Sequence, residues 1–226
     1  MSSALDHLLH HPGVWRGRDG ALAPGETLPT GFAILDEALP GGGWPRRALT
    51  EVLSARQGIG ELRLLMPALA ALAREGRWLA WVDPPYVPYV PALAGWGVDS
   101  SRVLVMRTAS GEDGLWAVEQ ALRSGVCGAV LAWSRDASRD GRSLRRLQLA
   151  SEAGRSWGLL FRSARWAAEP SPASVRLLVE PAGPGVAVSL LKCRGRGPSA
   201  PLRVFPLGPA GGVGNRPDRC GEVERG

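Results

Sequence analysis

Leu49-Thr50-Glu51-Val52-Leu53-Ser54-Ala55-Arg56-Gln57-Gly58-Ile59-Gly60-Glu61 is the stretch on which the fold turns. Residues 48–53 form a short apolar run and predict a strand. A loop with two glycines follows. Leu62–Arg74 is apolar almost all round and predicts a buried helix. Pro67 either kinks that helix or lies in its first turn. Strand, glycine loop and buried helix in that order are the opening of an α/β unit.

The pattern repeats toward the C-terminus. Trp78–Val82 predicts a short strand ended by Asp83-Pro84-Pro85, and Val87–Gly95 a short helix. Val103–Met106 predicts a strand. Ser110 and Asp113 pair as an N-cap signal for a helix with Leu115, Val118 and Leu122 on one face. Gly128–Trp133 predicts a strand. Ser143–Ala153 predicts a helix with Leu144, Leu147 and Ala150 inward and Arg142, Arg145 and Arg146 outward. Trp157–Phe161 predicts another strand. These strands are continuously apolar, as a parallel sheet covered on both faces requires. After residue 170 the helices stop. Val175–Glu180, Val186–Lys192 and Leu202–Phe205 read as strands joined by Pro/Gly turns, and antiparallel edge additions are expected.

The expected fold class is therefore α/β, a mostly parallel sheet with helices on both faces and C-terminal antiparallel edge strands. Residues 1–30, rich in Gly, Pro and His, read as an extended arm. Residues 31–207 read as the core, with the antiparallel strands at about 175–206. Residues 208–226 read as a flexible tail.

The net charge is +6, and Lys192 is the single lysine, so 26 of the 27 basic residues are arginine. Chemistry needing a lysine before position 192 is excluded. The balance suits an acidic partner such as nucleic acid, or a genome that favours arginine. Cys127, Cys193 and Cys220 are odd in number and unpaired in spacing, which argues against a disulfide scaffold or zinc site. His7, His10 and His11 are the only histidines, too loosely placed for a metal site to be expected. Nothing at the N-terminus reads as a signal peptide. A cytoplasmic location is expected.

The segment Thr30-Gly31-Phe32-Ala33-Ile34-Leu35-Asp36-Glu37-Ala38-Leu39-Pro40-Gly41-Gly42-Gly43-Trp44-Pro45-Arg46 resembles the lead-in to RecA-family cores. Those read TG-x-x-x-LD-x-x-L-x-GG-x-P-x-G before a strand and a phosphate loop. The resemblance runs to about residue 162 and implies a RecA-like P-loop NTPase core. A working phosphate loop, GxxxxGK[ST], offers backbone N–H groups, a lysine for the β/γ charge and a hydroxyl for Mg²⁺. Here Ser54 stands at the first glycine, Gly58 lies within the loop, Gly60 stands at the lysine and Glu61 at the hydroxyl. Sliding the register by one puts Glu61 at the lysine. Either way a carboxylate faces the place of a phosphate. Trp133 stands where the metal-binding aspartate would be, and an indole cannot hold a hydrated Mg²⁺. Pro85 stands where a water-activating glutamate would be. Three losses together imply a non-enzyme with no cofactor and no catalytic residues.

Two degenerate RecA relatives fit. Gly60–Leu69, Gly76–Trp81 and Glu119–Gly125 resemble both the ImuA family of damage-inducible mutagenesis cassettes and the SulA family of division inhibitors. The long lead-in and the basic β-rich C-terminus resemble ImuA. That resemblance implies a translesion-synthesis accessory. Its expected partners are an ImuB-like polymerase-related protein, an alternative replicative-type polymerase, RecA and single-stranded DNA. The SulA alternative implies the cytoskeletal GTPase FtsZ. Arg142, Arg145, Arg146, Arg194 and Arg196 are the candidates for DNA or partner contact, with a solvated face as the plain reading for the first three. Trp78, Trp81 and Trp133 are expected in the core, and Trp44 and Trp166 on an exposed partner surface.

Overall fold

The computed structural model of the protein describes residues 26–133, 141–193 and 199–205. The lead-in forms β1 (Thr27–Leu28), α1 (Ala33–Ala38) and β2 (Trp44–Pro45), with β1 and β2 paired antiparallel. The Thr30…Asp36 spacing has a local cause. The Thr30 N–H donates to Asp36 Oδ1 at 2.8 Å, and the Thr30 hydroxyl donates to the Phe32 carbonyl. Together they fix the entry to α1. A Cβ on Gly43 would lie 2.1 Å from the Leu28 carbonyl oxygen, so the β1–β2 pair needs glycine there. Within the segment read as an extended arm, Thr27 and Leu28 are thus strand residues, and Leu28 is fully buried.

The main sheet follows. It comprises β3 (Leu49–Ser54), β4 (Trp78–Val82), β5 (Val103–Met106), β6 (Cys127–Trp133), β7 (Trp157–Ser163), β8 (Val175–Ala182), β9 (Gly185–Lys192) and β10 (Leu202–Val204). The strand order is β10-β9-β8-β3-β7-β6-β4-β5. The helices are α2 (Met66–Arg74), α3 (Val90–Gly95), α4 (Gly111–Arg123) and α5 (Gly141–Gly154). The expected mixed architecture, a mostly parallel sheet with antiparallel edge strands, is present. One expectation is corrected. β8 lies parallel to β3, and only the β8–β9 and β9–β10 pairings are antiparallel, so β9 alone runs against the other strands. The chain leaves β7 and crosses over β3 through residues 164–174, long enough for a parallel return without a full helix. The expected single helix 62–74 is also divided. Glu61–Leu64 is a 3₁₀ turn, and α2 begins at Met66 with Pro67 in its first turn, the position that tolerates proline.

Both faces of the sheet are apolar because alternate residues feed two cores. Val52, Leu79, Trp81, Leu131, Leu159 and Phe161 pack with α2 and α3 on the first face. Leu49, Ala80, Val82, Val130, Ala132 and Leu160 pack with α4 and α5 on the second. Ser110 caps α4 as expected, accepting the Asp113 N–H. Glu119, buried on α4, pairs with Arg123 at 3.0 Å and with Arg146 of α5.

Two tryptophan expectations are corrected. Trp44 is fully buried, stacked on Trp157 with centroids 5.7 Å apart, because the Gly41–Gly43 turn folds it under the sheet. Trp166 is half-buried, and the guanidinium groups of Arg162 and Arg165 lie 5.0 and 5.2 Å from its ring centroid.

Candidate functional site

The carboxyl ends of β3, β4, β6 and β7 gather four features. These are the loop 55–60, the Pro84–Tyr89 segment, Trp133, and the Ala164–Trp166 turn. This is the end of an open parallel sheet where ligands bind.

The loop after β3 is built by two left-handed glycines, Gly58 at φ +78° and Gly60 at φ +108°. Backbone N–H groups turned inward by such residues form a concave anion site. The chain fills that site itself. Glu61 Oε1 accepts the Gly58 N–H at 2.9 Å. The carboxylate is buried, and its second oxygen, Oε2, has no hydrogen-bond partner among the described residues.

Ser54 closes β3 and lines a cavity of about 490 Å³ together with Arg56, Gln57, Arg162, Arg165 and Trp166. Beneath it sits a buried ion triad. Glu51 Oε1 accepts from Arg162 at 2.9 Å, and Glu51 Oε2 from Arg176 at 2.6 Å. Register explains the meeting. β3 lies between β7 and β8, and Glu51 pairs directly with Arg176 while Arg162 pairs with Leu53. Arg176 also donates to the carbonyls of Trp166, Ala167 and Glu169, so this guanidinium clamps the β7–β8 crossover. Two guanidiniums against one carboxylate leave the triad net positive.

A second cavity of about 320 Å³ shares Gln57, Glu61 and Tyr86 with the first. Its walls include Trp81, Trp96, Trp133, Leu93 and Met66. Trp133 stacks on Phe161 at 4.6 Å and leans on Trp81 at 5.6 Å. The position expected to hold a metal-binding aspartate is therefore part of an aromatic wall. Pro85 is exposed on the loop after β4. Asp83 at that strand end is a turn residue, as its position suggested. It adopts φ +51°, and its carboxylate accepts from the Thr108 N–H and hydroxyl at 2.8 and 2.5 Å.

The structure brings Ser54, Gly58, Gly60, Glu61, Pro85 and Trp133 to one place. Arg142, Arg145 and Arg146 are exposed on α5, which packs on the second face, and none of them lines either cavity. Arg194 and Arg196, the three histidines and the tail lie outside the described residues. Sequence reasoning missed Glu51, Arg162 and Arg176. The signal was present: charged residues of opposite sign, each beside at least one apolar neighbour, inside three predicted strands or at their ends. Among the described residues, no three His, Cys, Asp or Glu side chains are grouped to hold a metal, and no helix is long and apolar enough to cross a membrane.

Fold and site together define an α/β protein whose glycine loop, at the carboxyl end of a parallel sheet, is closed by its own carboxylate. Residues 49–158 match the family model described as cell division inhibitor SulA. The cell division inhibitor SulA of Edwardsiella piscicida is 38% identical over 98 residues, which is 43% of this chain and 57% of that protein. Protein RecA of Chlorobaculum parvum is 35% identical over 116 residues, 51% of this chain and 33% of RecA. The chain thus spans a little over half of the first relative and a third of the second. The crystal structure of SulA from Pseudomonas aeruginosa aligns at 27% identity and a TM-score of 0.41, over 50% of this chain and 97% of that one. The SulA match begins at β3 and stops at the start of β7. The β1–α1–β2 lead-in and the strands β8–β10 lie outside it.

Proposed function

We propose that this chain is a non-catalytic, RecA-like accessory protein of the DNA-damage (SOS) response. It works in the cytoplasm through protein contacts in translesion synthesis, in the manner of ImuA. The observation that carries the non-catalytic part is the Glu61–Gly58 hydrogen bond. A carboxylate sits where an incoming phosphate would need the same N–H, and two like charges there repel. The chain holds no lysine before Lys192 to offset it. The partial RecA and SulA matches support descent from a RecA-type core. The elements outside the SulA match favour the translesion reading. The lead-in and β8–β10 are the parts whose sequence resembles ImuA.

Partners on this reading are the ImuB-like polymerase-related protein, the alternative replicative-type polymerase, RecA, and single-stranded DNA through arginine-bearing surfaces. The experiment is a pull-down with purified, tagged protein from damaged cells. Recovery of the polymerase components or RecA supports the reading, and their absence under damage removes it.

A second reading has its own observation. The match over 49–158 is to a division-inhibitor family, so capping of FtsZ is the alternative. Overexpression in cells lacking the polymerase cassette separates the two, because filamentous growth is the result of the division-inhibitor role.

A further inference from the structure

The two cavities at the carboxyl end of the sheet adjoin through Gln57, Glu61 and Tyr86. Among the described residues, their charged lining is Arg56, Arg63, Arg162, Arg165 and Glu61. Exposure divides these five. Arg56, Arg63 and Arg165 are exposed, whereas Arg162 and Glu61 are buried. Glu61 accepts the Gly58 N–H, and Arg162 donates to Glu51. A partner arriving at this rim therefore meets only positive charge from the lining residues. A concave wall of one sign concentrates the field in front of it.

The same rim carries rings. Tyr86 lines both cavities and Tyr89 one of them, and they are 70% and 71% exposed. Rings this open bury little area in the fold and keep that area for a partner. The local sequence holds them out. Pro85-Tyr86-Val87-Pro88-Tyr89-Val90 repeats one tripeptide, with Pro84 before it and Pro91 after. Each proline fixes its own φ and restricts the residue before it. Tyr89 is extended, at φ −83° and ψ 102°. A segment stiffened in this way loses little conformational entropy on binding.

Charge and rings together select the partner. A purely acidic protein surface would answer the arginines and leave the rings in water. A purely apolar one would cover the rings and desolvate the arginines unpaired. Duplex DNA offers phosphates, but its base faces are stacked inside. In a single strand every nucleotide carries one phosphodiester and one accessible flat ring, so any stretch of it answers both.

We infer that this rim is a binding site for single-stranded nucleic acid, with phosphodiesters on Arg56, Arg63 and Arg165 and bases stacked on Tyr86 and Tyr89. The inference rests on the proposed function and deepens it, by naming the residues of its single-stranded DNA contact.

The test is fluorescence anisotropy of full-length protein with a labelled oligothymidylate of about 16 nucleotides, the upper range for one such site. The expected result is saturable binding that weakens with salt. Arg56→Ala with Arg165→Ala should lower the slope of log affinity against log salt by about 0.7 per arginine. Arg74→Ala with Arg155→Ala removes the same charge from exposed arginines that line neither cavity, and should leave the slope unchanged. Tyr86→Ala and Tyr89→Ala should each weaken binding about five-fold or more with no change in slope, the loss of one stacked base. Tyr86→Phe and Tyr89→Phe keep the ring and should bind as the parent does, which separates stacking from any loss of folding. An abasic strand and a duplex of the same length should bind more weakly. No saturable binding, equal losses from the two arginine pairs, or unchanged affinity in both tyrosine-to-alanine variants would each overturn the inference. So would an abasic strand that binds as tightly as the oligothymidylate. Displacement by polyglutamate at equal charge would overturn it in favour of an acidic protein surface, and displacement by ATP in favour of a free nucleotide. The partner pull-down is read after nuclease treatment, so the protein-contact reading and this one can fail separately.

Discussion

Glu61 Oε1 and the Gly58 backbone N–H are joined at 2.9 Å across the loop that follows β3. Gly58 and Gly60 turn the loop backbone, and the chain's own Glu61 carboxylate takes up the N–H that the turn presents. Removing that carboxylate should leave the N–H open to solvent. Glu61→Ala is expected to leave the protein folded, with a stability change within about 1–2 kcal/mol, since one partly buried bond is lost and one orphaned oxygen is removed. Nucleotide binding is not expected to appear, because the lysine is still missing. Thermal melts and a labelled-ATP filter assay check both halves.

The ion triad predicts a larger effect. Glu51→Ala leaves Arg162 and Arg176 buried without their carboxylate and is expected to cost about 3–5 kcal/mol in urea denaturation. The same reasoning gives a contrasting result for the joint replacement Glu51→Leu, Arg162→Met and Arg176→Met. That variant should recover most of the loss, because it removes every buried charge together.

Trp44→Ala is expected to destabilise by about 3–5 kcal/mol, since a fully buried indole stacked on Trp157 leaves a cavity. A partner-surface role would have predicted near-normal stability with weakened association. The melting temperature decides between them.

Gly154→Ala tests the α4–α5 contact. A Cβ there would lie 1.8 Å from the Leu122 carbonyl oxygen, so the two helices must separate. A loss on the order of 1–3 kcal/mol is expected, read as a lower urea midpoint. Gly183→Ala tests a different constraint. Gly183 has φ +63° but no neighbour within 4 Å of a Cβ, so its loss should be smaller and come from backbone strain alone.

The Arg46–Glu75 pair sets a pH dependence. Its two bonds measure 2.8 and 2.5 Å, and the Arg46 guanidinium holds the Glu75 carboxyl below the usual glutamate range. A depressed folded-state value means the contribution is full above the unfolded-state titration and is lost as pH falls through the folded one. Glu75→Gln should therefore destabilise the fold slightly at neutral pH, by less than about 1 kcal/mol because the pair is largely solvent-exposed, read as a small drop in melting temperature. The difference should shrink in strong acid and in high salt.

Much of this architecture was legible in the chain. Trp78–Val82 and Val103–Met106 have the bounds their apolar runs predict, and Ser110 caps α4 as its spacing with Asp113 indicates. Local pattern determines such features. The direction of β8 was not legible, because it depends on which strand the crossover reaches and not on the residues of β8. Trp44 was misplaced for a related reason: its turn is rich in glycine and proline, and residues distant in sequence, Trp157 among them, bury it. At the site, the Glu61 substitution could be read in the loop register. The aromatic wall could not, since Trp81, Trp96 and Trp133 come from three separate elements and meet only in the fold.

The most direct test of the account is ATP binding and hydrolysis by the purified full-length protein with Mg²⁺, with and without single-stranded DNA. The account predicts no saturable binding and no turnover above the protein-free blank in either condition. DNA-stimulated hydrolysis that is lost on mutating the Ser54–Glu61 loop would contradict it.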